Sequence, residues 1–96
     1  MKKISLSRGK HALIDDSDFD RISKYNWYIN ENAEKTKVYA MRSRLKDEVN
    51  VTGTKVYMHR FILNVKDKAV MIKHKNGNTL DNRRENLIQK KRILAK

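Results

Sequence analysis

The chain has 96 residues and a mass of 11.4 kDa, the size of one small domain, and no apolar run is long enough to span a bilayer. Its 23 Lys and Arg against 11 Asp and Glu give a net charge of +12, which points to a polyanionic partner. Cysteine is absent, excluding a disulfide framework and any Cys-based zinc site, and 39% hydrophobic residues suffice for a globule.

Ile4-Ser5-Leu6-Ser7 alternates apolar and polar residues, which predicts a half-buried strand. Arg8-Gly9-Lys10 reads as a turn and His11-Ala12-Leu13-Ile14 as the returning strand. Asp15, Asp16 and Ser17 offer helix N-caps, and Phe19, Ile22 and Ser23 follow at helical spacing. A short helix is expected over 16–25. The acids Asp15, Asp16, Asp18 and Asp20 lack the loop glycine and terminal glutamate of a calcium loop, so capping is their expected role.

Aromatic and β-branched content predicts a strand at Trp27-Tyr28-Ile29. The next strand, 37–44, places Val38, Ala40 and Arg42 on one face and Tyr39, Met41 and Ser43 on the other. Two polar turns, at 31–35 and 47–53, flank it. Thr54 to Met58 reads as a strand, His59 to Leu63 as a short helix, and Val70 to His74 as another strand. Asn76-Gly77-Asn78 is a turn signal, and Asp81 is expected to cap a helix running from Asn82 to the end. The expected fold is α+β: a small antiparallel sheet with short helices in a single domain 1–96. Residues 1–53 form its hairpin, helix and strand part, and 54–96 a ββα unit.

The motif residues lie in that second part. Tyr57-Met58-His59-Arg60 is followed by Ile72-Lys73-His74-Lys75-Asn76-Gly77-Asn78-Thr79-Leu80-Asp81-Asn82-Arg83-Arg84-Glu85-Asn86-Leu87. This pattern resembles the HNH endonucleases of bacteriophages, free-standing or intron-borne, and the stretch Ile4 to Trp27 resembles the segment that precedes the motif in many of them. The resemblance implies a ββα-metal fold in which His74 holds the general-base position and Asn86 the bracing position. In active members the base draws a proton from water, and a divalent ion stabilises the phosphate and the leaving oxygen.

Two positions depart from that pattern. The metal-ligating acid before the base falls at Lys73, and the helix ligand falls at Ala95. A protonated lysine has no free lone pair and alanine has no ligand atom. A degenerate member is therefore expected, with no metal ligands and no cofactor unless a rescued site holds magnesium or zinc, and enzymatic activity is not expected. His74 is then equally readable as a histidine without a task. His59 is readable as a support for the site or as a packed ring bonded to backbone. His59, His74 and Asp81 together are the remaining unorthodox route to a metal.

The nucleic-acid contacts expected from charge are Arg42, Arg44, Arg60, Lys73, Lys75, Arg83, Arg84, Lys90, Lys91 and Arg92, with Tyr39 beside the long-strand arginines and Arg8 and Lys10 adding to the same face. For each residue alone a solvated charge is the simpler reading; the excess as a set carries the inference. Three functions compete. One is an inactive HNH-type protein that binds nucleic acid, most simply duplex DNA. A second is an active metal-dependent nicking enzyme. The third is a phage counter-defence protein that binds a host nuclease or a CRISPR nucleoprotein. The start Met1-Lys2-Lys3-Ile4 lacks the apolar stretch of a secretory signal, so the expected compartment is the cytoplasm of a bacterial host.

Overall fold

A computed structural model describes residues 1–31, 37–46, 48, 55–65 and 70–91. The elements in order are β1 (Lys2–Ser5), β2 (His11–Ile14), α1 (Phe19–Ile22), β3 (Tyr28–Glu31), β4 (Val38–Ser43), β5 (Lys55–Tyr57), α2 (Met58–Leu63), β6 (Val70–His74) and β7 (Leu87–Lys91). They form an α+β domain with three small antiparallel sheets, ordered β1-β2, β3-β4-β5 and β6-β7. No helix among the described residues is long and apolar enough to cross a membrane.

The first hairpin forms where the alternation places it. Ile4 pairs with Ala12 and both are buried, while Lys3 and Ser5 face solvent. Its turn needs two left-handed residues, Arg8 at φ 58° and Gly9 at φ +70°, a conformation that only glycine adopts without cost. The Arg8 side chain reaches Glu31 at 3.0 Å, which ties the turn to the end of β3.

The segment after β2 departs from expectation. Instead of one helix over 16–25, a 3-10 turn at Asp16–Asp18 leads into the single turn of α1, with no side-chain cap at either start. Asp15 and Asp18 serve distant partners instead. Asp15 accepts the backbone N–H of Arg84 at 2.8 Å, and Asp18, which is buried, takes the Arg84 guanidinium at 2.9 and 3.0 Å. A charge-assisted pair across the fold outweighs a local cap that water can replace.

The middle sheet has two different faces. Ala40 and Val56 point into the core with Ile14, Ile22, Trp27, Met58 and Ile62. Arg42 points the same way and is only 2% exposed. Its guanidinium lies 3.9 Å from the ring centre of Tyr25, 5.0 Å from Phe61 and 5.4 Å from Trp27. It also donates to both oxygens of Glu48, at 2.6 and 2.8 Å. The cation thus enters the core inside an aromatic cage, with its charge matched by one carboxylate. On the opposite face, Tyr28, Met41 and Tyr57 align across the three strands, with Asn30 and Tyr39 in the next row.

The C-terminal third contradicts the expected helix from Asn82 onward. A 3-10 turn at Arg84–Asn86 leads directly into β7, which pairs antiparallel with β6 from His74↔Leu87 to Val70↔Lys91. Helical spacing of Leu87, Ile88 and Leu94 with abundant charge suggests a helix, but β6 offers open backbone partners and Leu87 buries in the core. Asp81 caps no helix: its carboxylate accepts the side chain and the backbone N–H of Arg83 and the amide of Asn76. Residues 92–96 lie outside the described residues, and with them Arg92 and Ala95.

Among the described residues Glu48 is the one carboxylate paired with the buried Arg42, and the Arg42 hydrogen bonds hold its pKa down to about 2. Glu48→Ala leaves that cation unmatched and is expected to lower unfolding free energy by about 3–5 kcal/mol in a urea titration at pH 7. Because the folded pKa lies below the usual 4.5, the wild-type contribution is complete above that pH. It is lost as pH falls from 4.5 toward 2.

Candidate functional site

The motif is built on the β6–β7 hairpin and the loop between its strands. Alternation along β6 turns Val70, Ile72 and His74 inward and leaves Met71 and Lys73 exposed. At the strand end Gly77 takes φ +78° and donates its N–H to the His74 carbonyl at 3.0 Å, which turns the chain back.

Asn86 ties the two arms of this loop together. Its amide oxygen accepts the Asn76 N–H at 3.0 Å; its amide nitrogen donates to Asn76 Oδ1 at 3.0 Å and to the Asp81 carbonyl at 2.9 Å. Asn76 in turn donates to Asp81 Oδ2 at 2.9 Å, and its Oδ1 also accepts the Asn78 N–H. Such a short polar network fixes a loop because every buried member is matched. Asn86 is 4% exposed, in keeping with a bracing role. An open depression of about 390 Å³ lies against the loop, lined by Lys75, Asn76, Arg83, Glu85 and Asn86. His74 is not among its lining residues.

His74 is 7% exposed. Its Nε2 lies 2.8 Å from the amide oxygen of Asn82, which can only accept, so Nε2 is the donor in this bond. The ring sits edge-on to His59 at 5.2 Å and 6.3 Å from Tyr39. Asn82 is fully buried and had not been singled out from sequence; its only signal was the Asp-Asn-Arg run that follows the turn.

His59 is packed, but not in the way expected. It lies among Tyr39, Tyr57 and His74, and its Nδ1 has no hydrogen-bond partner among the described residues; nor does the Nδ2 of Asn82. Burial, reinforced by His74 and Arg60, pushes the His59 pKa down to about 3. His59 and His74 meet, but Asp81 is held by Arg83 in a bidentate pair, so the three do not converge. Among the described residues no three His, Cys, Asp or Glu side chains form a group able to hold a metal ion. The residue beside His74 is an exposed lysine. These donors do not fit a divalent ion.

The expected nucleic-acid contacts divide by residue type. Arg42 is buried in its aromatic cage and cannot reach a ligand, which corrects its place in the set. Arg44 donates to the Glu48 carbonyl at 2.8 Å, and Arg60 donates twice to the Val70 carbonyl at 2.9 Å. Arg83 bridges Asp81 and Glu85, and Arg84 binds Asp18 and the Ile62 carbonyl. These carboxylates hold the pKa of both arginines above the ordinary value, and Arg83 holds that of Asp81 below it. The arginines here are structural cations. Lys73, Lys75 and Lys90 are exposed around the hairpin, and Lys10 is exposed at the first turn. Lys91 belongs to β7, but its side chain lies outside what is described.

No protein family, no curated protein and no solved structure matches the chain.

His59 generates a test of this packing. Unfolded His59 gains a proton below its ordinary pKa of 6.5 while the folded ring does not, so stability is full above 6.5 and falls with acidification toward pH 3. Between pH 6.5 and 4.5 the Glu48 contribution is still intact. The urea midpoint of the wild type is expected to drop across that window, with a slope of up to about 1.4 kcal/mol per pH unit from His59. His59→Phe should flatten that slope, and an unchanged slope would assign the acid sensitivity elsewhere.

Proposed function

We propose that this chain is an HNH-type scaffold that binds nucleic acid without cleaving it, carried by a phage and acting in the cytoplasm of its bacterial host. One observation carries the reading: every arginine among the described residues is engaged by the protein's own carboxylates or carbonyls, while the lysines around the motif hairpin stay exposed. The +12 charge is therefore carried outward by lysine ammonium groups, which suit phosphates as point charges with little demand on geometry. Lys73, at the position where the resemblance requires a metal ligand, supplies a phosphate-attracting cation in place of a metal-binding carboxylate.

Loss of cleavage rests on the same position and on His74. A buried base whose ring packs against His59 and Tyr39 is poorly placed to take a proton from an attacking water. The Asn86 network, the Asn76-Gly77 turn and the His74–Asn82 bond keep the hairpin in shape, and that shape supports binding whether or not chemistry survives.

Gel-shift and plasmid-nicking assays run on the same protein, with and without magnesium or manganese, test both halves. Binding is expected to weaken linearly in log Kd against log salt, with a slope of about 0.9 per phosphate contacted. Lys73→Ala and Lys75→Ala should each reduce that slope by about 1 without altering the fold. No nicking is expected under any metal condition. Metal-dependent nicking that disappears in His74→Ala would show an active nuclease instead.

A further inference from the structure

The main core cluster is filled from one face of the β3-β4-β5 sheet by Ala40, Val56 and the caged Arg42, while the outer face buries Met41 alone. Yet that outer face is rich in aromatic side chains. Cross-strand register sets Tyr28, Met41 and Tyr57 in one row, and Tyr39 stands in the adjoining row beside Asn30. Met41 is covered to 2% exposure between its two tyrosine neighbours, whereas Tyr57 remains 38% exposed at the end of its strand. The rings are coupled: Tyr39 and Tyr57 meet at 5.9 Å, nearly perpendicular, and both lean on His59 at 5.8 and 5.5 Å.

The rim of this face is cationic. Lys55 donates to the Tyr28 hydroxyl at 2.9 Å and lies 5.5 Å from the centre of its ring, and Ser43 adjoins the same hydroxyl. Through His59 the row of rings continues to His74.

We infer that this sheet face is a stacking platform for unpaired bases of a single-stranded nucleic acid, with Tyr57 and Tyr39 as the stacking rings and Lys55 as the flanking phosphate contact. Aromatic side chains on a sheet face accept the π-face of any base, while paired bases in a duplex offer only their edges to a protein. An acidic or apolar protein partner would not need tyrosines in this row, and the charge of the whole chain favours a polyanion. This inference rests on the nucleic-acid reading above and sharpens it by naming the strand state that is bound.

The test compares oligo(dT) with a duplex of equal length at one low salt concentration. Tyr57→Ala, at an exposed position, is expected to weaken oligo(dT) binding by about 5- to 150-fold and to leave duplex binding unchanged. Tyr57→Trp should keep the affinity, and its added indole should be quenched on saturation with oligo(dT) but not with duplex. The lone wild-type tryptophan, Trp27, is 5% exposed and gives the unquenched background as well as a check of folding. Equal oligo(dT) affinity for wild type and Tyr57→Ala, or an unquenched Tyr57→Trp, would overturn the platform while leaving charge-driven binding in place. If the wild type binds neither nucleic acid, the platform and the nucleic-acid reading fall together.

Discussion

Two backbone hydrogen bonds join Leu13 of β2 to the loop after the motif turn: Leu13 donates to Leu80 at 2.8 Å, and Asn82 donates to Leu13 at 2.7 Å. They make a one-residue parallel bridge between Leu13 and Asp81, and the surroundings of His74 depend on it. Sheets of two, three and two strands are each too small to be stable alone. The loop 78–86 is where they meet. Leu80 and Asn82 hold β2, Thr79 donates to the Val38 carbonyl of β4, and Asn86 closes the β6–β7 hairpin. Asn82 can present its oxygen to His74 because its backbone is fixed by Leu13 on the other side.

The charged residues follow a division that composition conceals. Carboxylates are scarce, and most of those paired among the described residues are spent on arginines: Glu48 on Arg42, Asp18 on Arg84, Asp81 and Glu85 on Arg83, Glu31 on Arg8. A planar guanidinium forms two parallel hydrogen bonds to a carboxylate and stacks on rings, so it fits an interior or a joint where an ammonium does not. Lysine is left to carry the external field. The same +12 therefore describes two populations of cations with different work.

The sequence made the local elements legible and the long-range ones not. β2 and β6 occupy the predicted residues because apolar patterning and an adjacent turn glycine, Gly9 before β2 and Gly77 after β6, are local signals. The α+β class follows from them. The helix expected at 16–25 is present as the 3-10 turn at Asp16–Asp18 running into α1, ending three residues early, whereas the one from Asn82 gave way to β7; the residues that suggested caps, Asp15, Asp18 and Asp81, have partners in Arg84, Arg83 and Asn76. Nothing in local spacing announces that. The positions of His74 and Asn86 were legible through the motif, whereas Asn82 and the exposed Tyr57 became visible only once strand register was known. Arg42 was misplaced because alternation put it on the right face but cannot say that the face is the core.

The ion pair between Asp18 and Arg84 spans 66 residues, and the bridge at Leu13 spans a similar stretch. Both hairpins that it joins are local and can zip within microseconds, but joining them closes a long loop whose entropy must be spent before the contacts repay it. Refolding is then governed by one late docking event, in which the motif loop settles onto β2. Before that event the chain holds two finished hairpins with Asn82 unplaced. The surroundings of His74 are thus the last part of the molecule to acquire their shape.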